Sequence, residues 1–336
     1  MNWPRVRQWR LKMVDQKKLI VSPAPFWHDG SSIPVRQVHT IAAAIPAVLF
    51  GVFLYGLPAL GVVCLSVSTA MLWELAANRM TGRAYSIGDG NAALIGLLLA
   101  MLMPATVPWW AVIIGTCVAL FVGKHIYGGI GGNPFNPALI GYAIIMVSWK
   151  GLFDFNAALV NYDFGFNMIY PLAAVKQHGA AAAANYPLCS LLLGMQTGGI
   201  GATFGLGLIL GGLYLIVRGF IRWEISISFL AGVFITALLF NIANPVKFAD
   251  PFFHLLTGYT LIGAFFLATD DSSSPVNLIP MLLYGAGAGV MTMLIRNIGA
   301  YVDGVVFAVL LFNIANPLLD KNQTKSIGKG DRSCVK

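Results

Sequence analysis

The chain has 336 residues, 57% of them hydrophobic and only 10% charged. A soluble domain carries about 25% charged residues, so this composition excludes one and points to an all-α integral membrane protein with many spans, embedded in lipid. The net charge of +8 does not mark a nucleic-acid binder, because the basic residues gather at the chain ends and in loops, where they set membrane topology.

Residues 1–37 form a basic arm (Arg5, Arg7, Arg10, Lys12, Lys17, Lys18) with no apolar run before about Val38, which is not the pattern of a signal peptide. Five apolar runs follow in residues 38–150, near 39–57, 59–78, 90–103, 108–127 and 136–149. A polar interval, 151–199, separates them from five more in residues 200–320, near 200–218, 224–243, 252–268, 278–297 and 303–319, and residues 321–336 are a basic tail. The third, fifth, eighth and tenth runs fall short of the roughly 20 residues a spanning helix needs.

Charge orients this set. The arm, the Arg79/Arg83 loop, Lys124, the Arg218/Arg222 loop and the tail (Lys321, Lys325, Lys329, Arg332) share one side, predicted to be cytoplasmic together with both termini. The 151–199 loop, Lys247 and Arg296 share the other, so the long loop is expected to face outward. Five spans per half make the second half enter the membrane from the opposite side. The halves also rhyme. "GKHIYGGIGGNPFNPALIGYA" and "IRNIGAYVDGVVFAVLLFNIA" each run from a basic residue through glycine to a polar group that opens a short helix, and "FNIANP" occurs twice. The expectation is two inverted five-helix repeats with interrupted short helices, which places a site at the repeat interface near mid-membrane.

Glu74, inside the second run, is an ionisable group in a costly place and therefore a functional candidate; the competing reading puts it near the cytoplasmic interface within reach of Arg79. Asp89 and Asp303 open the third and tenth runs, where coupling and simple capping of the helix dipole are both open. Lys124 and Arg296 end the fourth and ninth runs and are expected to snorkel to the interface, and Asp270 and Asp271 to be partly solvated. In "GGIGGNPFNP", Asn133 and Asn136 stand at a helix N-terminus, suited either to a planar uncharged heteroaromatic ring or to capping alone. Cys64, Cys117, Cys189 and Cys334 are far apart, with no C-x-x-C and no adjacent His, so no metal, haem or iron–sulfur site is expected. No hydrolase or phosphate-loop signature appears, and no residue is assigned as catalytic.

Four blocks, "DGNAALIGLLLAMLMPATVPWW", "GKHIYGGIGGNPFNPALIGYA", "HLLTGYTLIGAFFLATD" and "YVDGVVFAVLLFNIANPLLD", occur here in the order they take in a known family. The chain resembles the family formed by the D subunit of the Rnf electron-transport complex and, more distantly, the B subunit of the sodium-pumping NADH:quinone reductase. The resemblance implies a ten-helix bacterial inner-membrane subunit. It would work with the other Rnf subunits (A, B, C, E, G) and, through them, with ferredoxin and NAD, coupling electron flow to sodium or proton translocation. It implies a non-covalent flavin, riboflavin or FMN, near Asn133 and Asn136, and ion coupling at Glu74 and Asp303; Asp89 joins them as a coupling candidate on its own position. It also implies no activity of the chain alone.

Family members also carry FMN esterified to a threonine that precedes Pro-Leu and, a few residues on, a lysine. The matching place reads "FNMIYPLAAVK": Pro171, Leu172 and Lys176 fit, but the acceptor position is Tyr170. Covalent FMN is therefore not expected there. "GIGAT", ending at Thr203 at the start of the sixth run, is the weaker alternative. A redox-inactive transporter or channel, or a structural subunit that has lost its flavin, are the competing functions.

Overall fold

The computed structural model describes residues 32–83, 86–158, 162, 165–166 and 168–321. Most of the basic arm and tail, with Cys334, lies outside these residues.

The expected runs fold as helices. Four are long and apolar enough to cross a membrane: α1 (Ile33–Tyr55), α2 (Leu57–Thr81), α8 (Trp223–Ala243) and α11 (Leu278–Asn297). The shorter elements are α3 (Asn91–Leu102), α4 (Trp109–Leu120), α5 (Pro137–Ser148), α6 (Pro171–His178), α7 (Gly205–Val217), α9 (Pro251–Leu256), α10 (Thr260–Ile262) and α12 (Val305–Asp320). The protein is thus an all-helical, multi-pass membrane protein among its described residues.

Local chemistry sets these boundaries. α5 and α9 each open on a side-chain cap followed by proline: Asn136 accepts from Ala138 N, Asp250 from Phe252 N, and Pro137 and Pro251 occupy the first turn, where no N–H is needed. α2 closes on Gly82 in the left-handed region at φ 65°, whose N–H satisfies Asn78 O. Two helices widen into π turns, α4 at Phe121–His125 and α10 at Gly263–Leu267. Such turns recur at functional sites because they re-aim side chains.

The neighbours repeat across the two halves. α2 packs on α3 and α4, and α4 on α5; α8 packs on α9 and α11, and α11 on α12. The α8–α11 crossing is made by small residues. A Cβ on Gly232 would stand 2.4 Å from Ala286 O, and one on Gly289 2.3 Å from Phe229 O. Within lipid, where apolar contact between helices gains little, close backbone approach of this kind is the main source of association.

Three boundaries differ from the sequence reading. The sixth run begins as helix only at Gly205, so Thr203 lies in a non-helical segment before it. The eighth run breaks at Thr257–Tyr259, because Gly258 takes φ 66°. The 151–199 interval is not structureless. It contains α6, whose first five residues are buried, and its backbone is tied to the body where Ala180 N donates to Val246 O at 3.0 Å.

Candidate functional site

The irregular segments converge inside the helices. Ile200 N and Gly201 N donate to Met103 O and Met101 O, at the end of α3, at 3.0 Å each. Tyr259, in the break before α10, donates its hydroxyl to Leu102 O at 2.6 Å and lies 3.1 Å from the Tyr142 hydroxyl. Each irregular stretch thereby satisfies backbone groups that a helix would otherwise have paired, the condition for such backbone at membrane depth.

Glu74 is buried against Lys124 and His125. Its Oε1 accepts from Lys124 Nζ at 2.9 Å and from the Ser86 hydroxyl, and its Oε2 lies 2.9 Å from His125 Nε2. Lys124 and His125 come from the π turn of α4, which brings two consecutive residues onto one carboxylate. Neither Glu74 nor Lys124 exposes more than 3% of its side chain. Asn78 supports the group by donating to Ser86 Oγ at 2.8 Å. Glu74, Lys124, His125 and Asp89 line a single cavity of about 220 Å³ that Arg83 and Gly128 also border. Asp89 sits in a helical turn ahead of α3 rather than in its first turn.

Asp303 is buried with Arg296. Arg296 Nη2 lies 3.0 Å from Asp303 Oδ1, and Asp303 Oδ2 accepts from Tyr259 N at 2.7 Å. The rest of the guanidinium is spent on His254 O at 2.9 Å and Thr260 Oγ1 at 2.9 Å, both in the broken eighth element. Asp303 Oδ1 also accepts from Val305 N at 3.1 Å, capping α12. The capping expected of Asp303 is present, together with an ion pair to Arg296.

Lys124 and Arg296 therefore do not snorkel. Each is buried and paired with a carboxylate, because a cation this far from water without a partner would cost several kcal/mol, about the penalty of the ion alone. Glu74 pairs with Lys124 and His125 of the π turn, not with Arg79. The signal was available: a chain with so few acids and a carboxylate inside a span needs a cation for it, and Lys124-His125 is the basic pair beside the glycine run.

Asn133 and Asn136 are both buried and locally engaged. Asn136 caps α5 and donates from Nδ2 to Leu267 O at 3.1 Å, joining α5 to the π turn of α10; Asn133 Nδ2 donates to Phe135 O at 2.9 Å. Tyr170 precedes α6, its N–H donating to Asn156 Oδ1 at 2.7 Å. Its hydroxyl is buried with no partner, and burial pushes the phenol well above its usual range. The Thr203 hydroxyl is likewise buried and without a partner, and the two side chains line the same small void. The fold thus brings together the two positions considered for covalent attachment. Asp271 stands apart from this group, 2.5 Å from Arg36. Burial pushes its carboxyl up to about 6 against the pull of Arg36.

Around α6 and the 297–303 turn, two cavities adjoin. One, of about 450 Å³, is walled by Tyr142, Phe153, Phe155, Tyr170, Tyr259 and Tyr301. The other, of about 220 Å³, is lined by Lys176, Lys247, His254 and Asn297 with no acidic residue. Sequence reasoning missed both, since their walls come from four separate segments.

Comparison with known proteins places this arrangement. The family described as "NQR2, RnfD, RnfE family" matches residues 20–328. The chain is 34% identical over 310 residues to the D subunit of the proton-translocating ferredoxin:NAD(+) oxidoreductase complex of Clostridium ljungdahlii, covering 90% of this chain and 93% of that one. It is 34% identical over 337 residues to the D subunit of the ion-translocating oxidoreductase complex of Pectobacterium atrosepticum, covering 89% and 95%. It is 33% identical over 335 residues to the protein of that name in Yersinia pseudotuberculosis, covering 89% and 95%. With nearly the whole chain matched, this protein belongs to the NQR2, RnfD, RnfE family.

Proposed function

We propose that the chain is the D-type membrane subunit of an ion-translocating ferredoxin:NAD oxidoreductase complex in the bacterial inner membrane. It acts there with the other Rnf subunits and has no activity alone. The similarity to relatives named as D subunits, along about nine-tenths of both chains, carries this reading. The same names favour it over a redox-inactive transporter, channel or scaffold.

In this reading ten spans form two inverted repeats. The repeated neighbour pattern of α2–α5 and α8–α12 supports the repeat, and the charge distribution supports the inversion. A non-covalent flavin beside Asn133 supplies the electron chemistry. The protein's part is to hold and orient the ring and to exclude water. Ion coupling is assigned to the two buried charge groups, Glu74 with Lys124 and His125, and Asp303 with Arg296. Each holds a carboxylate in place where a cation or proton passing by would change its balance. Asp89, which lines the same cavity as Glu74, is assigned as the entry group.

The test is purification of the complex through a tag on this chain. Co-purification of the partner subunits with ferredoxin:NAD activity, and a flavin band that denaturant releases, is the expected result. Assembly without flavin, with ion flux in liposomes, would favour the transporter reading.

A further inference from the structure

Both oxygens of Glu74 are already engaged. Oε1 accepts from Lys124 Nζ and from the Ser86 hydroxyl, and Oε2 lies 2.9 Å from His125 Nε2. The Ser86 oxygen is itself occupied, accepting from Asn78 Nδ2 at 2.8 Å. Among the described residues, the groups bonded to this carboxylate are therefore an ammonium, an imidazole and a hydroxyl whose oxygen is taken.

That environment is poor for a metal cation. A hard cation such as sodium is held by several oxygen ligands. To reach Glu74 it would have to displace the ammonium or the imidazole, and the other carboxylate on the cavity wall is Asp89. Arg83 and Lys124 line the same cavity, and Arg83, exposed at its rim, is fixed there by donating to Gly128 O at 2.6 Å. Away from bulk water these charges repel a second cation strongly.

For a proton the same residues are well suited. The His125 side chain is 6% exposed, and its Nδ1 is buried with no hydrogen-bond partner. The carboxylate at Nε2 holds the N–H on that nitrogen, which leaves Nδ1 as an acceptor with a free lone pair. His125 also lines the cavity of about 220 Å³, which is roomy enough for the water that brings a proton. The second charge group offers no such exchange. Asp303 is paired with Arg296, whose guanidinium keeps its protons, and its oxygens also accept from Tyr259 N and Val305 N.

We propose that His125 determines which ion this subunit couples, and that the ion is a proton rather than sodium. A proton from the cavity binds Nδ1, and the imidazolium passes its Nε2 proton to Glu74 Oε2 across the 2.9 Å contact. One N–H bond forms as another breaks, an O–H bond forms on Glu74, and the ring is left neutral; its rotation restores the starting arrangement. Glu74, Arg83, Asp89 and Lys124 are the charged groups that share the cavity wall with this imidazole. The inference rests on the reading of Glu74 as a coupling group.

The experiment uses the whole complex, purified through this chain and reconstituted into vesicles. Ferredoxin:NAD electron transfer is recorded together with proton uptake, read by a pH-sensitive dye, and with uptake of radiolabelled sodium. With potassium as the added salt cation, electron transfer and proton uptake are expected at their full rates. Adding sodium should change neither, and sodium uptake should stay at background. His125→Gln keeps an N–H donor facing Glu74 and lacks the second ring nitrogen. In that variant proton uptake per electron should fall by roughly tenfold or more, and its pH profile should lose an inflection that the parent shows, which a merely structural role would not remove. Electron transfer that requires sodium, with sodium uptake by the parent complex, would overturn the proposal whatever the variants do. Full proton uptake in His125→Gln, with uptake impaired in Glu74→Gln, would overturn the role of His125 and leave Glu74 as the coupling group. Full uptake in both variants would remove the coupling reading itself.

Discussion

Arg296 and Asp303 form an ion pair with Nη2 3.0 Å from Oδ1, and neither side chain is more than 6% exposed. The pair joins the last turn of α11 to the start of α12, and its remaining bonds reach the break between α9 and α10. It therefore fixes three elements at once. Removing one partner leaves the other charged and unsatisfied. Asp303→Asn should destabilise the chain by about 3–5 kcal/mol, whereas Arg296→Met with Asp303→Leu should recover a large part of that loss. Thermal unfolding in detergent measures both. A single variant as stable as the parent would show that the pair does not organise this region.

Gly258 tests the same region from the backbone. Its φ of 66° is in the left-handed region, and an added Cβ would fall 2.3 Å from Asp303 Oδ2. Gly258→Ala should lower the melting temperature as much as Asp303→Asn does, and combining the two should add little, because both act on one carboxylate. Additive losses would contradict that coupling.

The α8–α11 crossing gives a prediction about packing alone. Gly289→Ala places a methyl 2.3 Å from Phe229 O and should cost about 1–3 kcal/mol as the helices are forced apart. Gly61→Ala, on α2 with nothing within 4 Å of the new methyl, should cost nothing. Parallel melting curves of the two variants decide it.

Covalent flavin is expected to be absent. Denaturing gels of the wild-type chain should show no flavin fluorescence at its mass, and Tyr170→Phe should look the same. A band that persists in Tyr170→Phe and disappears in Thr203→Val would place an ester at Thr203, which is buried beside Tyr170.

The helices were legible in the sequence because lipid demands long apolar runs, and Pro137, Pro251 and Gly82 mark their ends by rules that need no tertiary information. The identity of the buried acids was legible for the same reason. Their partners were not. Lys124 and Arg296 read as interfacial because their reach to Glu74 and Asp303 depends on a π turn and on a helix break, neither of which has a dependable sequence signature. Asn136 could be read as a cap, but its bond to Leu267 O joins residues from the two halves and required the fold. The two cavities around α6, assembled from residues 142–156, 170–179, 247–259 and 296–303, were beyond any local pattern.

The central claim is that a buried carboxylate held by cations on this chain couples electron flow to ion movement. Glu74→Gln tests it most directly, because the amide keeps the shape and can still accept from Lys124 and Ser86 while the negative charge is gone. The complex carrying this variant is reconstituted into vesicles, and ferredoxin:NAD electron transfer and ion uptake are recorded together. The account predicts an assembled complex with its flavin retained, in which ion uptake per electron falls by tenfold or so, on the order of the 1.4 kcal/mol that tenfold represents. An assembled variant that moves as many ions per electron as the parent would contradict it, and Glu74 would then be a structural anchor for the π turn of α4.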